Sequence, residues 1–199
     1  MPRRSAKSLT RQAKQARAKT TVNVILDAAA QVLIREGYAG ATTNRIAERA
    51  GVSVGSVYQY FDDKDAVFAR LIDREVEAVL SIFGAGNGIP EESLMPALRR
   101  LLTVAVDAWS YGPQLYRQLE HVPDDALRRR VTEAKTLLSG FIRSMLETHR
   151  AELRVRDLDV ATFVVVNAST GLSTNATTEM YGEPLVEITV ELLERYLIA

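Results

Sequence analysis

An all-α fold of about nine helices is what this 199-residue sequence predicts, on three observations. Apolar residues recur at helical spacing through most of the chain, prolines and glycines fall between those stretches, and no run alternates apolar and polar residues as a half-buried strand would. With 47% hydrophobic residues, the chain has enough apolar surface to bury a core.

The first element is a basic segment. Arg3, Arg4, Lys7, Arg11, Lys14, Arg17 and Lys19 stand among Ser, Thr, Gln and Ala with no anion, too polar to fold alone. Residues 1–20 are therefore expected to be a disordered arm, either a solvated tail or a contact for DNA phosphates or the minor groove. Ile25, Ala28, Ala29, Val32 and Leu33 then repeat as one face of a first helix, which Gly37 should end. Thr42 suits the N-cap of a second helix through Ala50, with Ile46, Ala47 and Ala50 inward and Gly51 as its stop. Ser53 can cap a third reaching about Tyr60. From Val67 through Leu71, Val76 and Leu80 to Phe83 a fourth stripe runs some five turns without proline or glycine. The stretch from Gly84 to Pro90 reads as a connection. Later stripes run from Leu94 to Trp109, from Leu127 to Met145 and from Leu185 to Tyr196, with Pro113, Pro123 and Pro184 at expected helix ends.

Composition narrows the function. Cysteine is absent and the two histidines, His121 and His149, are far apart, so no metal site and no cofactor is expected. No Ser/His/Asp set, phosphate-cradling loop or paired-carboxylate motif stands out, and an enzyme is not expected. The basic N-terminus lacks the apolar region of a secretory signal, and a cytoplasmic location is expected. The longest uncharged run, Val160 to Thr178, has the length of a membrane span, but its Ser, Thr and Asn content makes it a buried helix and no membrane partner. The formal net charge of zero divides unevenly: residues 1–74 carry 13 Lys/Arg against 7 Asp/Glu, leaving 12 against 18 in the remainder. The N-terminal third suits a polyanion, and the rest does not.

Two short helices joined by a glycine turn form a helix-turn-helix by spacing alone, with Val52 placed at the angle between them. The second helix of such a motif enters the major groove, so its outward residues must be small or must reach bases and phosphates. Gly55 and Ser56 are small; Ser53, Tyr58, Gln59 and Tyr60 can reach; Val57 and Phe61 would face inward. Arg45 and Arg49 on the second helix are either DNA-facing or ordinary exposed cations, and Tyr58 and Tyr60 could instead pack beside Phe61.

These residues carry a resemblance. From about Thr21 to Leu71, and within it "ILDAAAQVLIREGYAGATTNRIAERAGVSVGSVYQYFDDKDAVFARL", the chain resembles the N-terminal domain of the TetR family of bacterial transcriptional regulators. The shared features are the Gly-Tyr before helix 2, Ile-Ala-x-x-Ala-Gly-Val-Ser across the turn, and Tyr-x-Tyr-Phe-x-x-Lys leading into helix 4. The resemblance implies a phosphate contact at Thr43, close approach to DNA at Ser53, Val54, Gly55 and Ser56, and phosphate-facing roles for Tyr58, Tyr60 and Lys64. Val54 departs from the polar or basic side chain that some members carry, so readout there would be apolar contact with a thymine methyl.

Residues 21–66 are thus expected to be the helix-turn-helix domain and residues 67–199 a helical effector-binding and dimerisation domain. For the second domain the resemblance implies a homodimer through the last two helices and a cavity for a small-molecule effector. Val164, Ala168, Gly171 and Leu172, followed by Leu185, Ile188, Leu192 and Tyr196, are the candidate dimer contacts. Trp109, Tyr111, Tyr116, His121, Phe141, Met145, Phe163 and Asn167 are the candidate cavity lining, because apolar walls with isolated polar groups suit a small molecule. The resulting expectation is a repressor that binds a palindromic double-stranded DNA operator as a dimer and is released by its effector. An activator of the same fold, and a small-molecule-binding protein without operator recognition, are the alternatives.

Overall fold

The computed structural model describes residues 6–84, 93–108, 112–177 and 179–198. Among the described residues there are nine α-helices and no strand: α1 (Ala6–Gly40), α2 (Thr43–Ala50), α3 (Val54–Tyr58), α4 (Lys64–Gly84), α5 (Leu94–Ala108), α6 (Gly112–Glu120), α7 (Asp125–Thr148), α8 (Leu158–Asn175) and α9 (Glu183–Leu197). A short 3-10 turn, Arg150–Glu152, lies between α7 and α8. The all-α expectation stands. The chain divides into two compact units, Met1–Leu71 and Ile72–Ala199, and the division falls inside α4.

In the first unit, one expectation needs correcting. The basic segment expected to be a disordered arm is helical from Ala6, as the start of α1. Ala, Gln, Lys and Arg are good helix formers, and a segment that extends an existing helix avoids the cost of nucleating one. Gly37 breaks the regular path of α1 with φ +66°, where a residue with a Cβ would be strained, so the stop expected there is a kink. The core of this unit buries Ile25, Leu26, Ala29 and Leu33 of α1, Ile46 and Ala47 of α2, Val57 of α3 and Val67, Phe68 and Leu71 of α4. Each large apolar side chain buried there contributes about 1.5–3 kcal/mol.

The local signals around α2 hold at atomic level. Thr42 Oγ1 accepts from Arg45 N–H at 3.3 Å. Gly51, at φ +67°, donates to Glu48 O at 3.2 Å while Val52 N–H donates to Ala47 O at 3.0 Å, the paired bonds of a Schellman stop. α3 has only five residues, too few to stand alone. It is held by the Ser53 cap and by Val57, which is fully buried.

The second unit packs Leu94, Leu98 and Leu101 of α5, Ile142, Met145 and Leu146 of α7, Ala161 and Val165 of α8, and Leu185, Val190 and Leu193 of α9 into one core. Its helix ends are capped at short and long range. Asp124 accepts from Leu127 N–H at 2.8 Å, and Asp157 accepts from Asp159 and Val160 N–H at 3.0 and 3.1 Å. Leu94 N–H at the start of α5 finds Glu152 Oε2 at 3.0 Å, a partner 58 positions away. Ion pairs tie neighbouring helices: Arg143 with Asp159 at 2.7 Å across α7 and α8, and Arg99 with Glu187 across α5 and α9. No helix among the described residues is long and apolar enough to cross a membrane. The uncharged run forms most of α8, but that helix is buried on one side only, with Val160 and Phe163 exposed.

Candidate nucleic-acid interface and cavity

The exposed face of the first unit's helix pair is built by a division within α3. Val57 and Phe61 turn into the core, which leaves Val54, Gly55, Tyr58, Gln59 and Tyr60 outside, with Tyr58 at 53% exposure. Ser53 Oγ accepts from Ser56 N–H at 3.0 Å and lies 2.7 Å from Ser56 Oγ, so the two hydroxyls fix the first turn of α3. A Cβ on Gly55 would meet only Ser53 Oγ, at 3.9 Å. Packing within the protein therefore does not require a glycine there, whereas close approach from outside would benefit from one.

α2 contributes its N-terminus to the same face. Thr43 Oγ1 and Tyr58 OH are 3.1 Å apart, which places a hydroxyl from the start of α2 beside one from the end of α3. A helix N-terminus with hydroxyls beside it favours an anion such as phosphate. No acidic residue lies between Ser53 and Phe61.

The cations behave differently. Arg45 remains largely exposed but pairs with Glu36 of α1 at 3.0 Å, and Arg49 Nε donates to Gln31 Oε1. Lys64 is half-buried. Its Nζ donates to Tyr38 O at 2.9 Å and sits 3.8 Å from the centre of the Tyr38 ring, while Tyr38 OH donates to Asp65 Oδ1 at 2.7 Å. Lys64 thus ties the segment before α2 to the head of α4. The sequence reading marked the Gly-Tyr pair but missed the role of Tyr38 and Asp65, because partners 26 and 27 residues apart leave no local pattern.

In the second unit a cavity of about 160 Å³ opens between α5, α7 and α8. Leu98, Leu101, Leu102, Ala105 and Val106 of α5, Leu138, Phe141 and Ile142 of α7, and Val165 and Val166 of α8 form its apolar walls; Ser169, Thr170, Ser173 and Thr174 supply a polar strip, with Lys135 and Tyr181 completing the lining. Of the eight residues anticipated there, Phe141 lines it. Met145 is fully buried in the core, Phe163 is 67% exposed, and His121 and Asn167 are exposed, with their side chains turned back on Arg117 O and Phe163 O. Trp109 and Tyr111 lie outside the described residues, as does the side chain of Tyr116. The serines and threonines were missed although their spacing, Ser169 with Ser173 and Thr170 with Thr174, places each pair on one helical face.

The anticipated dimer contacts also separate. Ile188 and Leu192 of α9 are about half exposed and Val160 and Phe163 of α8 are exposed too, while Leu137 and Met180 are further exposed apolar residues of the same unit. Val164, Ala168, Gly171, Leu172 and Tyr196 are half-buried. Leu185 is buried in the chain's own core and presents nothing outward.

Comparison with known proteins agrees with this arrangement. The family model described as bacterial regulatory proteins, tetR family, matches residues 25–71, and the one described as the tetracyclin repressor-like C-terminal domain matches residues 93–197. An uncharacterised helix-turn-helix transcriptional regulator of Bacillus subtilis is 35% identical over 101 residues, 50% of this chain and 46% of that protein. The match therefore spans less than half of that relative's length. A helix-turn-helix transcriptional repressor of Mycobacterium tuberculosis is 27% identical over 135 residues, 67% of this chain and 68% of its own. Among solved structures, the fatty acid degradation regulator FadR from Bacillus halodurans has the same fold, with a TM-score of 0.68 at 22% identity over 87% of this chain and 94% of that one.

Proposed function

The chain belongs to the tetR family of bacterial regulatory proteins, and from that premise we propose that it is a cytoplasmic repressor that binds a palindromic DNA operator as a homodimer and releases it on binding a small-molecule effector. The observation that carries the reading is the exposed α3 face, which bears small and hydroxyl-bearing side chains, no acid, and a neighbouring helix N-terminus at Thr43. Phosphates would be held by Thr43 and Tyr58, and bases approached over Val54, Gly55 and Ser56. Tyr60, Gln59 and Arg45 flank that surface. Lys64 acts by positioning the motif.

The homodimer reading is supported by Val160, Phe163, Ile188 and Leu192, large apolar side chains left exposed on the last two helices. A two-fold axis there would set the recognition helices about 34–36 Å apart, one DNA turn, and would demand a palindrome. The effector would enter the cavity of the second unit and act through α4, whose backbone is continuous across the division of the chain. An effector coupling of about 1–3 kcal/mol changes operator affinity by roughly 5–150-fold.

The test is a binding selection on genomic fragments with purified protein, followed by titration of the enriched site at two salt concentrations. A palindromic site with steep salt dependence, weakened by Thr43→Ala with Tyr58→Ala, is the expected result. Absence of any enriched site would overturn the operator reading.

A further inference from the structure

The cavity of the second unit joins apolar walls to one buried hydroxyl that has nothing to bond. Leu102, Leu138, Phe141 and Val166 line it together with Ser169, whose Oγ is buried with no hydrogen-bond partner among the described residues. Leaving such a group unpaired costs free energy that a bound oxygen would recover. Two other polar groups of the lining are committed elsewhere: Thr174 Oγ1 donates to Thr170 O at 2.7 Å, and Lys135, the charged residue of the lining, holds Glu120 at 2.5 Å. Thr162 Oγ1 on the same helix is likewise buried without a partner, but Thr162 does not line the cavity.

We propose that this cavity takes an uncharged, predominantly apolar molecule carrying one hydrogen-bonding oxygen, a hydroxyl or carbonyl, that pairs with Ser169 Oγ. The inference rests on reading the chain as an effector-released regulator and names the chemical class of that effector. Charge is what the lining disfavours. A carboxylate placed among these leucines and valines would lose its water, and the one cation of the lining, Lys135, is already offset by Glu120, so the full cost of burying the charge would not be recovered. A neutral oxygen meets a hydroxyl that can donate or accept. An analogue without the oxygen leaves Ser169 unpaired, which is how a mostly apolar site acquires selectivity.

The test uses the full chain with three probes of equal chain length, 1-octanol, sodium octanoate and 1-chlorooctane, titrated calorimetrically against wild type, Ser169→Ala and Val166→Trp. Wild type is expected to bind 1-octanol saturably and octanoate at least about tenfold more weakly. Ser169→Ala should reduce the preference for 1-octanol over 1-chlorooctane about fivefold; a loss of packing alone would weaken both probes together and leave that ratio unchanged. Val166→Trp should close the site to all three, and the three-probe comparison on wild type stands even if a variant does not fold. Octanoate binding as tightly as 1-octanol, an unchanged preference in Ser169→Ala, or no saturable binding of 1-octanol would each overturn the proposal. Operator affinity measured in the same samples separates the two readings. Protein that binds its DNA site but ignores 1-octanol has another effector class, whereas 1-octanol bound with the expected selectivity and no change in DNA affinity keeps the ligand class and overturns effector release.

Discussion

Thr43 Oγ1 at the start of α2 and Tyr58 OH at the end of α3 lie 3.1 Å apart, so two residues 15 positions apart present their hydroxyls together at the exposed face of the helix-turn-helix. The contact is too exposed to matter much for stability. On the proposed function, its value lies in presenting two hydroxyls to one phosphate.

Tyr58→Phe removes one of those hydroxyls and keeps the ring. DNA affinity should fall about tenfold, since a hydrogen bond to a charged acceptor is worth about 1.5–3 kcal/mol, and the loss should be similar across sequences because phosphates carry no sequence information. The urea midpoint should stay within about 0.5 kcal/mol of wild type. Fluorescence anisotropy on specific and random duplexes measures the first effect, and circular dichroism the second.

Lys64 should behave as a structural residue. Lys64→Ala gives up the bond to Tyr38 O and the contact with the Tyr38 ring, and should cost about 1–2 kcal/mol of stability before any DNA is added. In a double-mutant cycle with Tyr38→Ala the two losses should not add. Tyr38→Ala keeps the backbone carbonyl, so additive losses would show that the ring contact contributes nothing.

Gly51, in the turn after α2, and Gly55, within α3, should separate folding from recognition. Gly51→Ala forces a Cβ into φ +67° and should destabilise by about 1 kcal/mol. Gly55→Ala meets only Ser53 Oγ and sits within α3, so stability should hold or rise by up to about 1 kcal/mol while operator affinity falls. Paired urea melts and DNA titrations read both.

On α9, neighbouring turns should give opposite phenotypes. Ile188→Asp, at an exposed position, should leave the melting temperature of the chain nearly unchanged and shift its sedimentation from dimer to monomer. Leu185→Ala, in the core, should cost about 2–5 kcal/mol. A dimer that survives Ile188→Asp together with Phe163→Asp would place the interface elsewhere.

Much of the first unit is legible in sequence because its determinants are local. Thr42 and Ser53 cap helices by bonding three residues ahead, and Gly51 stops α2 through a backbone angle that its own missing Cβ permits. Val57 and Phe61, four residues apart, declare one inward face. The N-terminal segment misled because its polarity argues against a fold of its own, whereas helix propagation from α1 requires no apolar face at all.

By itself, then, the sequence determined the all-α class, the helix-turn-helix and the identity of its outward residues, since each depends on spacings of a few residues along one helix or turn. Tertiary structure alone decided that Lys64 grips Tyr38, that Phe163 faces outward while Leu185 faces in, and that Ser169 borders a cavity. Helical periodicity says which side chains share a face; which neighbour that face meets is set by packing between helices distant in the chain, and no local pattern encodes it.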